Sequence, residues 1–89
     1  MARCGATGDL RRQGSSTRRW IAITAAASAG AEVALGVHVT SALRSGDITI
    51  DEMREAVAHF AVYQGYPRAT IFHLAVEESC AKLSADPDG

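Results

Sequence analysis

Three side chains that can take part in acid–base chemistry follow one another at intervals of four in the second half of the chain. They are Glu55, His59 and Tyr63, and this spacing places them on one face of a helix. A carboxylate beside an imidazole is either a helix-surface ion pair or an acid–base pair. A fourth candidate, His38, lies at the edge of an apolar helical stripe, where a histidine is either a hydrogen-bonded core residue or a functional group. The phenol of Tyr63 can donate a hydrogen bond while its ring packs.

Two arginines also have alternative interpretations. Arg18 and Arg19 stand at the start of a predicted helix, where cations oppose the helix dipole. They are either solvated or positioned to hold a carboxylate.

Cys4 and Cys80 belong to no CxxC pair, and no signal peptide precedes them. This pattern predicts free thiols in a reducing compartment, the cytoplasm.

Several kinds of chemistry have no matching motif. The sequence holds no glycine-rich phosphate loop after a strand, no HExxH and no Cys/His set at zinc spacing. It also lacks a serine nucleophile motif. We therefore expect no metal at the site.

The candidates must be positioned by helices, because helical periodicity and helix-end signals dominate the chain. We predict helices over residues 18–29, 31–44, 50–64 and 67–83. The second ends at Gly46 and the third begins with a Thr49–Glu52 capping box. Gly65 ends the third helix and Pro67 opens the fourth. The predicted fold is all-α, with four helices in two antiparallel hairpins.

Length and charge limit the possible partners. The 89 residues suffice for one small domain, which is marginal alone and favours oligomerisation. We assign residues 1–16 to a flexible leader, 17–84 to the helical domain and 85–89 to a frayed tail.

A net charge of −1 argues against nucleic acid or a membrane surface as partner. The longest apolar run, residues 20–27, is too short to cross a bilayer. Val62 lies about 20° from Glu55 around the helix, on the face that also carries His59, so we expect that face to be covered, by the same domain or by another subunit.

Three segments together resemble a known family. They are HVTSALRSG at residues 38–46, TIDEMRE at 49–55 and HFAVYQGYPRA at 59–69. Their order and spacing resemble the carboxymuconolactone decarboxylase family, which belongs with the alkyl hydroperoxidase D-like proteins, over about residues 18–79. The resemblance implies an all-helical domain that assembles as a trimer or hexamer with sites near subunit interfaces. Members usually have more helix before residue 18, so this chain would be a truncated version.

The resemblance also implies an activity. The decarboxylase branch acts in aromatic catabolism and removes CO₂ from γ-carboxymuconolactone without a cofactor. On that basis we assign His38 as proton donor and Glu55 as the residue that orients or tunes a histidine. His59 and Tyr63 would contact the substrate, and Arg19 would hold its carboxylate. In the peroxidase-like branch, cysteines stand seven and four residues before the histidine; here those positions are Ala31 and Ala34.

Two other interpretations remain open. The chain could be a non-catalytic helical subunit that only oligomerises, and convergence of His38, Glu55 and His59 in one pocket would argue against this. A helix-turn-helix DNA binder would need basic residues on its second helix. The predicted fourth helix carries only Arg68 and Lys82, beside Glu77 and Glu78.

Overall fold

The computed structural model describes the backbone of residues 7–85 and the side chains of residues 14–85. Its four α-helices are α1 (Thr7–Ala29), α2 (Glu32–Ser45), α3 (Ile50–Gln64) and α4 (Tyr66–Ala85). Residues 7–85 contain no strand. The all-α prediction is confirmed, and α2, α3 and α4 begin and end within two residues of the predicted positions.

The first helix begins eleven residues earlier than the sequence predicts. It starts at Thr7, so α1 includes residues 7–16, which the sequence predicts as part of a flexible leader; residues 1–6 lie outside the described residues. The segment lacks an apolar period, but extending an existing helix fixes few new dihedrals per hydrogen bond. It also has a tertiary contact, because the Ser15 hydroxyl donates to Asp47 Oδ2 at 2.8 Å. At the other end, Ala85 still belongs to α4 and the rest of the predicted tail is not described.

The start of α3 has the predicted capping box. The Glu52 backbone N–H donates to the Thr49 hydroxyl at 3.1 Å, and the Thr49 N–H donates to Glu52 Oε1 at 2.8 Å. These two bonds satisfy N–H groups that would otherwise lack a partner in the first turn. The chain therefore enters α3 in a fixed direction, which orients the face that carries His59.

One residue separates α3 from α4. Gly65 has a positive φ of 83°, which glycine adopts without steric cost. Its N–H donates to the Ala61 carbonyl at 3.0 Å, and its own carbonyl accepts from the Ala69 N–H at 3.1 Å. Pro67 is the second residue of α4 rather than the first, and its missing N–H still falls in the turn where no intrahelical partner exists.

Helix α4 is the centre of the domain, since it packs against each of the other three helices. Helices α3 and α4 are antiparallel: Arg54 pairs with Glu77, while Phe60, further along α3, packs edge-on against Phe72, earlier on α4. Helices α1 and α2 are antiparallel too, because they meet at the Gly30 turn and again where Ser15 reaches Asp47. The predicted pair of hairpins is therefore present.

The core lies between α4 and the other three helices. Its most deeply buried large side chains are Ile23, Leu35, Val39, Ile48, Met53, Phe72 and Val76. A buried polar contact joins α2 to α4, where the Thr40 and Ser79 hydroxyls lie 2.8 Å apart. This bond satisfies the hydroxyl of Ser79, which would otherwise be costly to bury.

Candidate functional site

A groove of about 370 Å³ runs between α1 and α3. Both helices pack on α4 but scarcely on each other, and the resulting gap has Phe72 of α4 among its lining residues. The side chains that line it are Trp20, Thr24, Ala56, His59, Phe60, Tyr63, Gln64 and Phe72. We call this the α1/α3 groove. Apolar walls with a few polar groups are typical of small-molecule sites.

Two of the predicted site residues, His59 and Tyr63, line this groove together. They are one helical turn apart on α3, and their ring centroids lie 5.1 Å apart at an interplanar angle of 61°. This edge-on contact is a favoured aromatic geometry, and it restricts the orientation of the imidazole. Both side chains are exposed, Tyr63 by 73%, so they stand at the open side of the groove. An imidazole at that position can give or take a proton from a bound molecule.

Glu55 and His38 do not join them. Glu55 is exposed on α3, one turn before His59, and it is absent from the groove lining. Among the described residues it makes no hydrogen bond or ion pair with His59, because the ion pairs found there are Arg19–Asp47 and Arg54–Glu77. His38 is half-buried on α2, a helix that contributes no side chain to this groove. The three predicted catalytic residues are therefore not brought together within one chain.

Arg19, the predicted carboxylate anchor, is engaged elsewhere. Its Nε donates to Asp47 Oδ2 at 3.2 Å, and the two side chains are largely shielded from solvent. Hydrogen bonds from the Ser15 hydroxyl first and from Arg19 second hold the pKa of Asp47 below its ordinary value. Arg19 thus ties α1 to the loop between α2 and α3. No lysine or arginine of the described part of the chain lines the α1/α3 groove.

Sequence reasoning missed the contribution of α1 to the groove. Trp20 and Thr24 line it, while Ile23 and Ala27 on the same helix are buried in the core. Trp20 is three residues from Ile23 and seven from Ala27, so helical periodicity places it beside the buried stripe. The single tryptophan next to an alanine-rich segment was the signal that could have identified this wall.

The described residues include neither a candidate metal site nor a membrane-spanning helix. Within that part of the chain, no three His, Cys, Asp or Glu side chains come together in a group that could hold a metal ion. None of the described helices is both long and apolar enough to cross a membrane. Cys80 is a free, half-buried thiol on α4, and Cys4 lies outside the described residues.

The fold and the groove together define a small all-α domain with an imidazole at the edge of an apolar cleft. The sequence model of the carboxymuconolactone decarboxylase family matches residues 6–78, most of the 89 residues. The chain therefore belongs to the carboxymuconolactone decarboxylase family. The match begins well before residue 18 and includes most of the segment predicted as a leader. Comparison with the curated proteins gave no match, and neither did comparison with the solved structures.

Proposed function

We propose that this protein is a carboxymuconolactone decarboxylase-like lyase that removes CO₂ from a small lactone or keto-acid of aromatic catabolism, without a cofactor. The observation that carries the proposal is the α1/α3 groove, in which the imidazole of His59 borders an apolar cavity of about 370 Å³. The match to the family supports the same class of reaction.

The reaction places two demands on the site. When the bond between the carboxylate carbon and the ring breaks, its electron pair passes into the unsaturated lactone or ketone, and a proton must then reach carbon. We assign that proton to His59, because it is the histidine that lines the groove. The imidazolium gives up its proton to the substrate carbon and recovers one from water. Tyr63 orients the ring through its edge-on contact. This assignment replaces His38 as the proton donor.

The groove lining favours a particular orientation of the substrate. Trp20, Phe60 and Phe72 offer flat apolar surface for an unsaturated ring. A carboxylate held against such a surface loses hydration and is destabilised. The charge that remains after CO₂ leaves is delocalised and is destabilised less, so desolvation favours the loss of CO₂. In the absence of a lining cation, we place any second carboxylate of the substrate toward solvent.

A second candidate function is a non-catalytic helical subunit that acts only through oligomerisation. The separation of His38 and Glu55 from His59 favours this alternative. The peroxidase-related alternative lacks support, because the two positions that would hold its redox cysteines are alanines: Ala31 at the N-cap position of α2 and Ala34 in its first turn.

The test is CO₂ release from γ-carboxymuconolactone and from a panel of related lactones and keto-acids, measured with His59→Gln and with His73→Gln. His73 is an exposed histidine on α4 outside the groove, so it is a matched control. We expect His59→Gln to lower kcat by about a hundredfold or more and His73→Gln to leave it unchanged. Equal rates for wild type and His59→Gln would refute the assignment. No turnover of any compound would favour the non-catalytic alternative.

A further inference from the structure

The charge of the α1/α3 groove limits the kind of molecule that it can hold. Of the described side chains that line it, only the imidazole of His59 can carry a charge near neutral pH. A carboxylate that loses hydration against apolar walls is destabilised unless a cation or hydrogen-bond donors compensate it. In its protonated form, His59 matches one carboxylate. A dicarboxylate therefore fits only with its second carboxylate outside the groove.

An uncharged amide stands at the other edge of the α3 wall. Gln64 lines the groove five residues after His59, so the two lie about 140° apart around α3 and about 7.5 Å apart along its axis. Ala56 and Phe60, which also line the groove, lie between them in angle. An apolar strip thus separates an imidazole from an amide, and this arrangement suits a single ring with a polar substituent at each end.

Helix α1 faces this strip without adding a charge. Trp20 and Thr24 line the groove from α1, one helical turn apart, and the indole offers a flat apolar face to a ring. The hydroxyl of Thr24 and the amide of Gln64 both donate and accept hydrogen bonds. Uncharged groups of this kind recognise a carbonyl or hydroxyl oxygen of a ligand, whereas they do not neutralise a second carboxylate.

We propose that the α1/α3 groove selects a single-ring substrate with one carboxylate, the group that leaves as CO₂, and that Gln64 recognises an uncharged polar group across the ring. This inference rests on the proposed function and narrows its substrates to monocarboxylates. When the bond to the carboxylate carbon breaks, its electron pair stays on the ring, and a proton from the His59 imidazolium takes the place of CO₂. The product of a monocarboxylate is uncharged, so the reaction leaves no anion in the apolar groove.

The experiment measures binding rather than turnover, with two stable acids of the same shape. 4-Carbamoylbenzoate and benzene-1,4-dicarboxylate differ only in the group across the ring, which is an amide in the first and a carboxylate in the second. The fluorescence of Trp20, the single tryptophan and a lining residue of the groove, gives both dissociation constants for the full chain. Wild type should bind 4-carbamoylbenzoate about tenfold more tightly or better, because the second carboxylate loses hydration without a cation.

Two substitutions at Gln64 test its role at the far edge of the ring. Gln64→Lys adds a cation there and should strengthen binding of the dicarboxylate, relative to 4-carbamoylbenzoate, by about fivefold or more. Ser84→Lys adds the same charge at an exposed position near the end of α4, outside the groove, and should leave that ratio unchanged. Gln64→Leu should weaken binding of 4-carbamoylbenzoate about fivefold relative to unsubstituted benzoate, because the amide loses its hydrogen-bond partner.

Binding and CO₂ release together separate failure of this inference from failure of the proposed reaction. Equal or tighter binding of the dicarboxylate by wild type would overturn the inference, whatever the turnover. An unchanged ratio in Gln64→Lys, an equal shift in Ser84→Lys, or no change in Trp20 fluorescence with either acid would overturn it too. The expected preference without CO₂ release from any monocarboxylate lactone or keto-acid would refute the reaction and support the groove as a binding site for ring monocarboxylates.

Discussion

The packing of Phe60 against Phe72 connects the core to the α1/α3 groove and can be measured with a double-mutant cycle. Phe72 is 2% exposed, and its ring lies edge-on to Phe60 with centroids 5.3 Å apart at 84°. Replacing either ring by leucine retains most of the bulk, at a cost of about 1.5 kcal/mol or less from shape alone. The lost ring–ring contact adds about 0.5–1.5 kcal/mol. Each single variant should therefore lower the free energy of unfolding by about 0.5–3 kcal/mol.

The coupling between the two substitutions is the decisive quantity. The double variant Phe60→Leu/Phe72→Leu should cost about 0.5–1.5 kcal/mol less than the sum of the two single variants, because the ring contact is lost only once. Urea unfolding followed by the fluorescence of Trp20, the single tryptophan, measures all four proteins. Protein concentration must be held constant, since self-association would raise apparent stability.

A control substitution separates this contact from general aromatic loss. Tyr66 is 82% exposed at the start of α4, so Tyr66→Leu should change the free energy of unfolding by no more than about 0.5 kcal/mol. Additive effects of the two phenylalanine substitutions would refute the reasoning, because they would mean that the rings do not contact each other. A total domain stability of about 4–13 kcal/mol for a chain of this size leaves the single variants measurable.

Three further predictions concern the helix ends and the acid sensitivity of the fold. Thr49→Ala removes the capping box and should cost about 1 kcal/mol in urea unfolding, whereas Thr70→Ala at an exposed site of α4 should change stability by less than about 0.5 kcal/mol. Asp47→Asn should reduce the dependence of melting temperature on pH. The pKa of this carboxyl in the folded protein lies below its ordinary 3.8. The ionised carboxylate therefore stabilises the folded state fully above about pH 5, and this stabilisation is lost as the pH falls through the folded pKa. The difference in melting temperature between wild type and variant should shrink from about pH 6 to pH 2. Gly36→Ala should stabilise the monomer by about 0.5–1 kcal/mol, but Gly46→Ala should cost about 1 kcal/mol or more in thermal unfolding, because its φ is 81°.

The helices were predictable wherever their ends depend on local chemistry. The capping box at Thr49 and the positive-φ glycines at Gly46 and Gly65 are signals contained within a few residues, and they gave the ends of α2, α3 and α4 closely. The start of α1 was not predictable in this way. Its contact partner Asp47 is 32 residues from Ser15, and a contact of that range leaves no periodic trace in the segment itself.

The site was predictable only within a single helix. His59 and Tyr63 share a face because they are four residues apart on α3, and the structure brings their rings together. The predicted convergence of His38 with them depended on how α2 and α3 sit relative to each other, which residue spacing does not specify. Trp20 was missed for the same reason. Its side chain lines a groove only because α3 lies opposite α1, and residue spacing does not specify that arrangement.

Under the proposed function, the α1/α3 groove must exclude water, because desolvation of the carboxylate favours the loss of CO₂. In the single chain, Tyr63 at the groove is 73% exposed and the neighbouring Val62 is 77% exposed, so this side of α3 is open to water. Helix α2 contributes no residue to this groove. A polar substitution at the exposed Val37 of α2 should therefore leave kcat unchanged, whereas His59→Gln should lower it by about a hundredfold or more. A Val37 variant that also lost activity would mean that the α1/α3 groove is not the whole site.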